Sequence, residues 1–96
     1  MGRDKGWELQ SVVPDARIDC RQVNAMATYI EAQERLDRLQ DGQVMEVLIT
    51  EGFPASYVST ALREEGHRLL RFEPLAGQDG FRMWIQKSEQ ELLGAR

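Results

Sequence analysis

The chain has 96 residues, 42% apolar and 29% charged, and its 12 Lys and Arg stand against 16 Asp and Glu for a net charge of −4. A chain of this length makes one core, and the composition is that of a globular protein, not a disordered or fibrous one. The acidic balance argues against nucleic acid, which needs clustered Lys and Arg. One Cys, one His and no glycine-rich phosphate loop leave little equipment for catalysis, for a metal or for a cofactor.

Residues 1–11 mix Gly2, Gly6, Arg3, Asp4, Lys5 and Trp7 without periodicity and read as a flexible N-terminal arm. Met1 to Glu8 carry charges where a signal peptide needs an apolar stretch, and Cys20 has no second thiol to pair with, so a cytoplasmic setting is expected. The apolar runs fall far short of the roughly 20 residues that span a bilayer, so no membrane segment is expected.

A single domain is predicted over 12–87. Ala16, Ile18 and Cys20 alternate with Arg17, Asp19 and Arg21, the period of a half-buried strand. Asn24 is placed to cap a helix over Ala25 to Gln40, where Met26, Tyr29, Ile30, Gln33, Leu36 and Leu39 recur at three- and four-residue steps as its apolar face. Asp41-Gly42 is read as its end. Val44 to Ile49, interrupted only by Glu46, has the length and composition of a central strand under a helix. Pro54 or Ser56 opens a second helix with Tyr57, Val58, Ala61 and Leu62 on its apolar face, and Gly66 stops it.

His67 to Phe72 reads as a strand, Pro74 to Gly80 as a turn, and Phe81 to Lys87 as a last strand with Phe81, Met83 and Ile85 alternating against polar neighbours. The remaining residues, 88–96, form a tail. The order β-α-β-α-β-β implies right-handed crossovers and an antiparallel final hairpin. The fold class is therefore an α/β two-layer sandwich, a four-stranded mixed sheet with both helices on one face.

These elements and four strings resemble the TusA-like (SirA-like) family of sulfur-carrier proteins. That family's first strand runs Leu-Asp-x-Arg-Gly-Leu-x-Cys-Pro-x-Pro; here Ile18, Asp19, Cys20, Arg21, Gln22, Val23, Asn24, Ala25, Met26, Ala27 and Thr28 stand in line with it. Asp41-Gly42-Gln43-Val44-Met45-Glu46-Val47 is similar to the family's Gly-x-x-Leu-Glu-Val segment, Gly66-His67 precedes the third strand, and Trp84-Ile85-Gln86-Lys87 closes the domain. The resemblance implies a scaffold that docks protein partners of a sulfur-transfer pathway near the first helix, whose opening Cys takes up a persulfide sulfur. At that position this chain has Ala25, Met26 and Thr28 replace both prolines, and Gln22 replaces the glycine.

Alanine holds no sulfur and is no nucleophile. The resemblance thus predicts a non-catalytic binding or accessory module with a protein partner and no cofactor. Its expected binding residues are Asn24, Ala25, Met26 and Arg21, at a helix N-terminus with N–H groups open to a partner's anionic group. The alternative is a sulfur carrier that uses Cys20 as a displaced acceptor, with Arg21 lowering its pKa. Its place beside Ile18 and Ala16 in the inward register predicts a buried core thiol instead. His67, without a second His, reads as a polar residue at a strand start.

Overall fold

The computed structural model describes residues 13–88; the expectations for the N-terminal arm and for the tail beyond Ser88 lie outside them. The elements are β1 (Ala16–Cys20), α1 (Ala25–Asp37), β2 (Val44–Ile49), α2 (Phe53–Glu64), β3 (Arg68–Pro74) and β4 (Phe81–Gln86). The sheet order is β1-β2-β4-β3, with β1 parallel to β2 and β4 antiparallel to both of its neighbours. The predicted order and mixed sheet are those observed.

Alternation sorts the sheet into two faces. Facing the helices are Ile18 and Cys20, Met45, Val47 and Ile49, and Met83 and Ile85, which pack with Ala32, Leu36, Val58 and Leu62 as one core. On the other face the strand register sets Arg17, Glu46, Trp84 and Arg71 in one row across the four strands, and Asp19, Leu48, Arg82 and Glu73 in the next. Glu46 is 7% exposed. It accepts from Arg17 Nε at 3.0 Å and from Arg82 Nε at 2.9 Å, so a carboxylate inside the apolar run is charge-paired on both sides. Arg71 bonds to Glu73 at 3.3 Å and lies 4.6 Å over the Trp84 ring.

The buried face of α1 differs from the predicted one. Ala25, Thr28, Ala32 and Leu36 are buried, whereas Met26 and Ile30 are exposed. Small residues let the helix lie close on the sheet, and ranking by hydrophobicity alone turns it the wrong way. Thr28 tolerates burial because its hydroxyl donates to the Val23 carbonyl. The helix also ends at Asp37, before Asp41-Gly42. Lys87 Nζ reaches over from the end of β4 and donates to the Leu36 and Leu39 carbonyls at 2.7 and 3.1 Å, placing a cation at the negative end of the helix.

Helix α2 starts at Phe53, earlier than predicted, with Gly52 at φ 92° turning the chain into it. Its buried residues are Ala55, Val58, Ser59 and Leu62, while Tyr57 and Ala61 are half-buried. Strand β3 extends to Pro74 and carries a register shift between Leu69 and Arg71.

Candidate functional site

Strands β1 and β2 are parallel, so the first turns of α1 and α2 open at the same end of the sheet. The chain leaves β1 through a turn in which Val23 N–H donates to the Cys20 carbonyl at 3.2 Å. Arg21 holds this turn in place. Its Nε and Nη2 donate to the two Asp19 carboxylate oxygens at 2.9 and 2.6 Å, and its Nη1 donates to Gln78 Oε1 in the β3–β4 hairpin at 2.6 Å. The Thr50 hydroxyl at the end of β2 donates to the Arg21 carbonyl. The guanidinium holds the Asp19 carboxyl below its ordinary pKa. A cleft of about 630 Å³ lies among Asp19, Arg21, Val23, Thr50 and Gln78.

Asn24 caps α1: its side-chain oxygen accepts from Ala27 N–H at 2.8 Å and its carbonyl from Thr28 N–H at 3.0 Å. Ala25, the first helical residue, is 9% exposed, and Met26 beside it is 56% exposed. The four expected binding residues are therefore adjacent, with Arg21 tied to Asp19 and Gln78. Two further features of this end involve residues outside that set. Phe53 opens α2 at 70% exposure and stacks on Tyr57, with ring centroids 5.6 Å apart, and Tyr57 meets Tyr29 of α1 edge-on at 6.1 Å. With Met26 one turn before Tyr29, these residues make an apolar ridge across both helix openings. The Gln78 contact joins residues 57 apart in sequence and leaves no local signal.

Cys20 lies elsewhere in chemical terms. It is 4% exposed and faces the helices from the end of β1. Burial pushes its thiol pKa up, against a smaller opposing effect of the Thr28 hydroxyl, and Arg21 is committed to Asp19. His67 sits at the start of β3, at the opposite end of the sheet from Cys20, because β1 and β3 run in the same direction. Its Nδ1 accepts from Ser88 N–H at 3.1 Å and its Nε2 is 4.0 Å from Glu65. Among the described residues no cluster of three or more His, Cys, Asp or Glu can hold a metal ion, and no helix is long and apolar enough to cross a membrane.

This geometry defines a βαβαββ two-layer domain that presents an apolar ridge, a capped helix opening and a cleft fixed by Arg21 at the carboxyl ends of its parallel strands. The family model for sulfurtransferase TusA matches residues 16–87, and the chain belongs to the TusA family. No curated protein matches the chain significantly.

Proposed function

We propose that the protein is a non-catalytic member of the TusA family, a cytoplasmic binding or accessory module that keeps the scaffold and docks a protein partner of sulfur-transfer chemistry without carrying sulfur itself. The observation that carries this reading is the thiol inventory. Alanine occupies the first position of α1, and the only Cys of the chain is enclosed in the core with a raised pKa. A persulfide carrier needs a thiolate that reaches a partner's sulfur, and burial of Cys20 works against both its ionisation and its access. What the helix openings do offer is contact area. Met26 at the opening of α1 and Phe53 at the opening of α2 are exposed, with Tyr57 half-buried against Phe53, and adaptable or aromatic side chains of this kind suit a docking surface.

Alkylation of the native protein tests the reading. Cys20 is expected to react at least about 100-fold more slowly than in denaturant, since the thiol must be exposed by opening of the core. Rapid labelling without denaturant would instead support Cys20 as a displaced sulfur acceptor. The Ala25→Cys variant supplies the comparison. It is expected to fold and to label faster than Cys20, because its thiol sits in the first turn of a helix that lowers its pKa. It is also expected to relay sulfur poorly, with Met26 and Thr28 in place of the two prolines that stiffen the family's loop.

A further inference from the structure

The helix layer covers the two edge strands unequally. On β1, Ile18 and Cys20 face the helices and are 7% and 4% exposed. On β3, Leu69 and Phe72 stand opposite Ile85 and Met83 and so face the helices too, yet Leu69 is half-buried and Phe72 is 42% exposed. Beside α2 a groove of about 790 Å³ is lined by Thr60, Arg63 and Glu64 of the helix and by His67, Arg68 and Leu69. Two guanidinium groups stand there against one carboxylate. Among the described residues neither Arg63 nor Arg68 has an ion-pair partner, whereas Arg17, Arg21, Arg35, Arg71 and Arg82 each have one.

The chain leaves β4 next to this groove. Ser88 N–H donates to Nδ1 of His67, one of its lining residues, at 3.1 Å. The residues that follow, beyond the described ones, read Glu89-Gln90-Glu91-Leu92-Leu93. Ser88 and Glu91 have the Ser-x-x-Glu spacing of a capping box, which opens a helix just ahead of the two leucines. In a helix Glu89, Leu92 and Leu93 share one face, at i, i+3 and i+4. That face carries what the groove lacks: a carboxylate for the arginines, and apolar surface for Leu69 and for the methylene stems of Arg63 and Arg68. The reach suffices, since four or five helical residues rise about 6 to 8 Å and the strand from His67 to Leu69 rises about 7 Å.

We propose that residues 89–93 fold back on their own chain as a helical turn docked in the groove between α2 and β3, with Leu92 and Leu93 against Leu69 and with Glu89 paired to Arg63 and Arg68. The segment completes the cover of β3 that α2 leaves unfinished. It sits at the start of β3, at the opposite end of the sheet from the helix openings, so the ridge there stays open to a partner.

Nuclear magnetic resonance of the full chain reads the docking directly. Nuclear Overhauser contacts are expected from the Leu92 or Leu93 methyl groups to those of Leu69 and Thr60, with backbone order parameters above about 0.6 from Glu91 to Leu93. The combined Arg63→Glu, Arg68→Glu variant changes two exposed side chains and sets like charges against Glu89. It is expected to remove the contacts and to lower the order parameters below about 0.6. Order parameters below that value in the unmodified protein, without contacts to Leu69, overturn the proposal. So do contacts that survive the charge reversal unchanged, and contacts that appear only as concentration rises, which would place the segment on a second copy. The measurement on the unmodified protein decides the matter even if the variant fails to fold.

Discussion

Among the described residues, the open face of the sheet and the end at the helix openings are finished in opposite ways. The open face of the sheet carries Arg17, Glu46, Arg82, Glu73 and Arg71 in neighbouring rows, each with an ion-pair partner at 3.4 Å or less. The end of the molecule at the helix openings carries Met26 and Phe53, apolar and exposed. A charged face with its pairs already made offers a newcomer little without first breaking them. An exposed apolar ridge gains from any partner that removes it from water. This contrast supports the proposed docking at the helix openings.

Glu46 is where this contrast breaks most easily. Glu46→Ala leaves Arg17 Nε and Arg82 Nε without their acceptor and is expected to cost about 2 kcal/mol, less than a fully enclosed ion pair because both arginines reach solvent. Arg17→Ala, which removes a mostly exposed partner, is expected to cost under about 1 kcal/mol. Urea denaturation midpoints measure both. Equal losses would mean that the row is held by its surface charges and not by the buried carboxylate.

Asn24→Ala is expected to cost about 1 kcal/mol in the same measurement, by releasing the Ala27 N–H at the opening of α1. A smaller effect is expected from Tyr29, which links α1 to the end of α2. Its hydroxyl donates to the Glu65 carboxylate, and Gln33 Nε2 donates to the same oxygen at 2.9 Å. The hydrogen bond to the Glu65 carboxylate, with smaller effects of burial and of that carboxylate's charge, pushes the hydroxyl pKa up to about 12. The folded value lies above the unfolded value of about 10, so this contribution to stability is complete below the unfolded value. It is lost as pH rises through about 12. Tyr29→Phe is expected to remove that alkaline step, seen by following the unfolding midpoint across this range. At the ridge itself, Met26→Ser and Phe53→Ser are expected to change stability by no more than about 0.5 kcal/mol, since each removes a mostly exposed side chain. A loss well beyond that would show the ridge to be part of the core.

Much of the fold was legible because it rests on local rules. Alternation around Ile18 and around Met83, the Asn24 cap and the glycine-marked turns each act within a few residues. The buried face of α1 was not legible: close approach to the sheet selects Ala25, Thr28 and Ala32, and no hydrophobic ranking sets these above Met26 and Ile30. Glu46 read as an interruption because its partners lie 29 and 36 residues away, on strands that only the folded register brings beside it. The candidate site was half visible. Asn24, Ala25 and Met26 follow one another in the chain, whereas Phe53 and Gln78 arrive through the parallel crossover and the final hairpin.

The central claim is that the scaffold persists without a sulfur-bearing thiol. Incubating the native protein with a cysteine desulfurase and isotopically labelled cysteine, then measuring the intact mass under non-reducing conditions, tests it most directly. The account predicts an unchanged mass and no label on Cys20. A mass increase of one sulfur atom, with the label located on Cys20 of the folded protein, would contradict it.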